Sequence, residues 1–277
     1  MLGTISDFFQ THPIFTTAEL VVGLRSTEKH YKSVSDPESL KALLSYHVAK
    51  GHLVRIRRGL YWTVPPGMKA DDCPIDPFQV ASRMAPDAVL GYHTALAFHG
   101  NAYSVWNYFD YLTHNSNIPI LRLRGAMYRA VSQPATLRRA KLESWGVETV
   151  DRLGVDVKVT SIERTFVDAI DRLDLCGGFE EVWPCLEMIQ YLKLQPVIDY
   201  TLLLENSTLA AKVGFFLEQH KKQFEIKNEM LQQLSKHRPR LPHKVLNGSK
   251  EGKLISKWNL IIPANVINRE WEEFTWQ

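Results

Sequence analysis

The stretch His52–Pro66, HLVRIRRGLYWTVPP, leaves the backbone few options. Leu53 to Arg57 alternates, with Arg55 and Arg57 on one side and Val54 and Ile56 on the other, the period of a half-buried strand. Arg58-Gly59 is a tight-turn signal, and Leu60 to Val64 is aromatic and β-branched, a second strand. Upstream, Ser35 and Glu38 have capping-box spacing and Pro37 suits a first helical turn. They start a helix that runs to Lys50 and is ended by Gly51. Before it, Thr4 to Thr11 reads as a short helix closed by Pro13, and Thr16 or Thr17 caps a second helix through Ala18, Leu20 and Leu24. Three helices followed by a basic hairpin is the order of a winged helix-turn-helix. The alternative is a small α+β subdomain with a solvated edge hairpin.

On the third helix a 100° step places Leu40, Leu43, Leu44, His47 and Val48 on one face. Lys41, Ala42, Ser45, Tyr46 and Ala49 lie opposite, small residues beside a lysine and a tyrosine. Such a face can approach a DNA major groove closely, so Lys41, Ser45, Tyr46 and Lys50 are candidate reading residues. Arg55, Arg57 and Arg58 flank the turn and are candidate contacts to phosphates or the minor groove. His47, on the apolar face, is expected in the core.

The 277 residues suggest two domains. Pro65 to Gly67 and the polar run to Pro77 mark a boundary, giving a winged helix over 1–68 and a larger domain over 77–277. The latter divides into mixed α/β over 77–176 and a mainly helical part with a terminal strand over 177–277. The expected class is α+β. Within it, helices are predicted over Pro77 to Met84 and in GYHTALAFHG, the latter started by Thr94 and stopped by Gly100. Strands are predicted at Tyr108 to Thr113, Ile118 to Arg124 and Val155 to Val159. Thr160 to Asp174 is a marked helix, with Thr160 and Glu163 at capping-box spacing. Its buried stripe is Ile162, Phe166, Ala169, Ile170 and Leu173, and Arg164, Asp168 and Arg172 form an ion-pair ladder worth tenths of a kcal/mol per step. Phe179 to Lys236 reads as helices broken at Pro196 and Asn206-Ser207, and Lys257 to Ile262 as a short strand.

Three cysteines, Cys73, Cys176 and Cys185, lack the close spacing of a zinc site and argue against a secreted disulfide scaffold. No basic leader opens the chain, and the apolar stretch Tyr200 to Phe216 is broken by Glu205, Asn206 and Lys212, so no membrane span is expected. A cytoplasmic protein is the expectation. The net charge of +3 is unevenly divided. Residues 1–70 hold nine Lys/Arg against five Asp/Glu, and residues 219–257 hold ten against three, around an acidic middle. Two basic blocks point to a polyanionic partner. In the second, Lys221, Lys222, Lys227, Lys236, Arg238, Arg240 and Lys244 are opposed by Glu225 and Glu229 alone.

No catalytic set assembles. His93 and His99, six apart, would point about 120° away from each other on one helix and are expected in packing or capping, so no metal site or cofactor is expected. Pro86-Asp87 with Asp156-Val157-Lys158 imitates the pattern of restriction-like nucleases, a rival reading. Phosphate-cradling glycine loops and the nucleophile-elbow motif are absent. A third reading is a plain transcription factor with a sensing domain.

The blocks RRGLYWTVP, GYHTALAFHG, TSIERTFVDAIDRLDLCGGFEEVW, LAAKVGFFLEQ and KWNLIIP, in that order, resemble the AbiEi antitoxin family. That resemblance implies an antitoxin of a two-gene, type IV toxin–antitoxin phage-defence or stress module. It implies repression of its own operon through double-stranded operator DNA, and a C-terminal domain that opposes a nucleotidyltransferase-like toxin, in much of the family without a stable complex, so that direct contact with the toxin stays open. On that reading Lys221, Lys222, Arg238, Arg240 and Lys244 are the candidate basic surface for toxin antagonism.

Overall fold

A computed structural model describes residues 5–27, 36–245 and 252–268. The amino-terminal part runs α1 (Ile5–Thr11), β1 (Ile14–Thr16), α2 (Thr17–Thr27), α3 (Pro37–Ala49), β2 (Leu53–Arg57) and β3 (Leu60–Thr63). Its three strands pair antiparallel in the order β1-β3-β2. This is a winged helix. β1 was not anticipated: Pro13 ends the first helix, and the three residues after it pair with the hairpin. Thr16 caps α2 through a reciprocal box, its Oγ1 accepting from the Glu19 N–H at 3.2 Å while Glu19 Oε2 accepts from the Thr16 N–H at 2.7 Å. The cap of α3 is Asp36, which accepts from the Ser39 N–H at 2.9 Å; Ser35 lies outside the described residues.

The rest of the chain runs α4 (Pro77–Ser82), β4 (Val89–Leu90), α5 (Tyr92–Phe98), β5 (Tyr108–Thr113), β6 (Leu121–Leu123), β7 (Ala126–Ser132), α6 (Ala135–Ala140), β8 (Val147–Arg152), β9 (Val155–Thr160), α7 (Ile162–Asp171), α8 (Phe179–Glu187), α9 (Leu194–Leu203), α10 (Ser207–Gln219), α11 (Asn228–Lys236), β10 (His243–Lys244), β11 (Lys253–Ile255), β12 (Leu260–Ile262) and α12 (Ala264–Ile267). Six strands form one mixed sheet in the order β6-β7-β5-β4-β9-β8. The class is α+β, a winged helix followed by a larger α/β region.

Several local readings are corrected. α5 starts at Gly91, not at Thr94, whose hydroxyl instead accepts from the Asp110 N–H at 2.6 Å. Pro196 sits in the first turn of α9, where its missing N–H costs nothing, and the break falls before it. Residues 256–259 form a turn, so the last strand starts at Leu260.

The largest correction concerns α7. Ser161, not Thr160, caps it, accepting from the Arg164 N–H, and Thr160 bonds Thr165 instead. Phe166, Ala169, Ile170 and Leu173 are buried as expected, while Ile162 is half-buried. Yet Glu163, Arg164, Thr165 and Asp168 are buried too, so the helix is enclosed on all sides. Arg164 is 0% exposed. It donates to Asp168 at 3.2 Å, to the carbonyls of Glu143 and Trp145, and to Gln133 Oε1 at 2.7 Å. Arg172 turns away to Asp174 at 2.8 Å. The expected surface ladder is therefore a buried ion pair with its remaining donors satisfied, the condition for such a pair to be tolerated.

Apolar packing divides by place. Phe8, Phe9, Phe15, Leu20, Leu24, Leu44, Leu53 and Tyr61 make the winged helix's own core. The other side of its sheet, through Ile14, Ile56, Leu60, Trp62 and Val64, packs on Val80, Met84, Tyr111, Tyr128 and Val157 of the larger region. The helices α7 to α11 and the carboxyl-terminal strands share a further core. There Trp258 lies so close to α10 that a Cβ on Gly214 would stand 2.2 Å from its ring, so only glycine permits the contact.

Candidate nucleic-acid interface

The outward face of α3 follows from its burial pattern. Leu44 is buried and Leu40, Leu43, His47 and Val48 are partly covered, whereas Lys41, Ala42, Ser45, Tyr46, Ala49 and Lys50 face outward. Tyr46 is 55% exposed, unusual for a tyrosine with apolar neighbours available, and Lys50 Nζ stands 5.9 Å from its ring centre. His47 packs edge-on to Phe9 at 5.0 Å and its Nδ1 lies 3.1 Å from that of His52. Burial and the facing His52 hold the His47 pKa below the ordinary histidine value.

The hairpin turns at Arg58-Gly59, with Gly59 at φ +81°, a conformation that favours glycine. A register shift between Arg55 and Arg57 breaks strict alternation. Arg55 and Arg58 are exposed with their side chains toward solvent. Arg57 is also exposed along its length, but its Nη2 donates to the Met84 carbonyl at 2.9 Å. A second tie joins Arg83 to Glu19 at 2.6 Å. Glu19 is also the reciprocal partner of Thr16 in the α2 capping box, so the first turn of α2 is tied to the carboxyl end of α4. Burial pushes the Glu19 carboxyl up, but the Thr16 N–H, the Arg83 charge and the Thr16 hydroxyl outweigh it, and its pKa lies below the ordinary value.

Lys221, Lys222, Arg238, Arg240 and Lys244 are all exposed, but they do not converge. Lys221 and Lys222 follow the carboxyl end of α10, where Lys221 Nζ donates to Asn228 Oδ1 at 2.7 Å. Arg238, Arg240 and Lys244 lie near its start: His237 lines a cavity with Asn206 and Ser207, and His243 bonds Thr208. The thirteen residues of α10 span about 20 Å, so the block is a band with two ends.

The residues of the nuclease pattern separate in role. Asp156 and Lys158 are exposed on β9, but the Asp87 carboxylate accepts from the Thr113 hydroxyl and the His114 N–H, both at 2.7 Å. His99 Nε2 donates to the Thr160 carbonyl at 2.7 Å, a packing role. His93 meets Glu181 and Cys185 in a buried group, a juxtaposition that the sequence reading missed. Glu181 is 88 residues away and Cys185 four further on; the one local signal was the i,i+4 spacing of Glu181 and Cys185.

Among the described residues no helix is long and apolar enough to cross a membrane. No curated protein matches the chain. The fold is similar to the crystal structure of the RV2827C protein from Mycobacterium tuberculosis, with a TM-score of 0.61 at 15% identity, over 96% of this chain and 92% of that one. Residues 4–62 match the family described as "Transcriptional regulator, AbiEi antitoxin". These residues run from α1 into β3, so it is the amino-terminal winged-helix module that is similar to the AbiEi antitoxin family of transcriptional regulators.

Proposed function

We propose that this protein is the antitoxin and autorepressor of a toxin–antitoxin operon, acting in the cytoplasm on double-stranded operator DNA. The observation that carries the reading is the outward face of α3, with Lys41, Ser45, Tyr46 and Lys50 exposed, beside a hairpin bearing the exposed Arg55 and Arg58. A groove reader needs small and hydrogen-bonding side chains on the helix and cations at its flank, because base edges specify and phosphates position. Residues 1–68 are then the reader, and residues 77–277 oppose a nucleotidyltransferase-like toxin in a phage-defence module. The two-ended basic band is the surface assigned to that antagonism. The test is full-length protein titrated against DNA from upstream of its own reading frame and against random duplex at fixed salt. Preference for the upstream DNA supports autorepression; equal affinity for both overturns it.

A further inference from the structure

We propose that His93, Glu181 and Cys185 form a zinc site that ties α5 to α8 inside the larger region. His93 stands in the first turn of α5, and Glu181 and Cys185 lie one turn apart on α8. All three are buried, at 1%, 8% and 0% exposure. One ligand atom from each falls within 4.8 Å of the others, and this is the one such group among the described residues.

The spacing suits the metal. His93 Nε2 lies 2.9 Å from Glu181 Oε1, and Cys185 Sγ lies 3.3 Å from the same oxygen. A tetrahedral zinc with ordinary bond lengths needs N···O and S···O edges of about 3.3 and 3.5 Å, so these two edges open by only a few tenths of an ångström, while the nitrogen and the sulfur lie within 4.8 Å of each other. An imidazole, a carboxylate and a thiolate together suit zinc, whereas magnesium and calcium require oxygen donors.

The surroundings are those of a metal thiolate. The Tyr103 N–H points at Cys185 Sγ from 3.1 Å, and the Ser104 N–H donates to Glu181 Oε1 at 3.0 Å. The Trp106 ring lies 5.3 Å from that of His93 and fixes its plane. Peptide donors onto sulfur and carboxylate orient ligands and stabilise their anionic forms. Without metal, one carboxylate oxygen serves three donors, and a negative charge stays buried beside a neutral thiol. Zinc replaces the thiol proton, which leaves to solvent, and the imidazole carries its proton on Nδ1. Ser104, whose N–H bonds Glu181, and the neighbouring Val105 are exposed. No Cys–His nucleophile pair is formed, because sulfur and imidazole both turn to Glu181, so the site is a clamp.

The test is the full chain, dialysed against zinc and then against metal-free buffer, with metal measured by mass spectrometry. The expected content is about one zinc per chain, lost in Cys185→Ser, which keeps a hydroxyl for Glu181 and the fold, and in His93→Gln. Cobalt loaded instead should give a thiolate-to-metal charge-transfer band in the wild type and none in Cys185→Ser. Wild-type protein that retains well under one zinc, or Cys185→Ser that retains as much as wild type, overturns the proposal.

Discussion

The Arg57 guanidinium donates to the Met84 carbonyl at 2.9 Å, so one of three hairpin arginines is held by the larger region and not by the wing's own surroundings. Together with the Glu19–Arg83 pair, this contact sets the orientation of the helix-turn-helix relative to the sheet. The proposed reading surface is then α3 with Arg55 and Arg58, on a module tied to the larger region through Arg57 and Glu19.

The wing prediction follows. Arg55→Ala and Arg58→Ala should each lower the slope of log affinity against log salt by about one, the loss of one phosphate contact. Arg57→Ala should change that slope less and lower the melting temperature more, since its guanidinium bonds Met84. Slopes unchanged by Arg55→Ala and Arg58→Ala would remove the wing from the interface.

The brace itself is acid-sensitive. A carboxylate with a depressed folded-state pKa adds stability that is complete above its unfolded value and is lost as pH falls through the folded one. Glu19 is such a group, with an ordinary value of 4.5, so wild type should lose stability on acidification below that point. Arg83→Gln removes part of the effect. The gap in melting temperature between wild type and Arg83→Gln should be largest near neutrality and narrow below pH 4.5. A gap that does not change with pH contradicts the assignment.

Arg164→Ala should cost about 3–5 kcal/mol, because it leaves the buried Asp168 carboxyl without its ion-pair partner. Phe166→Ala, in a fully enclosed site, should cost about 3–5 kcal/mol as well. Chemical denaturation measures both. Losses under about 1 kcal/mol would mean that α7 is less tightly packed than its burial implies. A stable Phe166→Ala protein that fails to neutralise would instead make α7 a functional surface.

The two ends of the basic band can be tested apart. Lys221→Glu with Lys222→Glu, and separately Arg238→Glu with Arg240→Glu, should impair toxin neutralisation in cells while operator preference persists in vitro. Full neutralisation by both folded variants sinks the assignment, and collapse of operator binding moves the band to DNA recognition.

What was legible in the sequence was local. The Pro37 start, the Gly51 stop and the alternation of Leu53 to Arg57 are set by neighbouring residues, and α3 turns its expected apolar face inward, with Leu44 buried and Leu40, Leu43, His47 and Val48 half-buried. The i,i+4 spacing of Arg164 and Asp168 reads alike for an exposed ladder and a buried pair, and only packing by α9 and the 143–145 carbonyls decides. β4 is two residues long and exists because β5 and β9 flank it, so no local pattern could announce it. The hairpin hid its own docking: the bulge at Arg55–Arg57 and the carbonyl of Met84 together redirect one arginine.

The central claim is that α3 reads sequence. The direct measurement is the ratio of affinities for upstream and random duplex, compared between wild type and the double variant Ser45→Ala with Tyr46→Ala. Both side chains are exposed, so the variant should fold as wild type does. The account predicts that the ratio falls toward one while the salt dependence persists, since phosphate contacts remain. A ratio equal to that of wild type would contradict it.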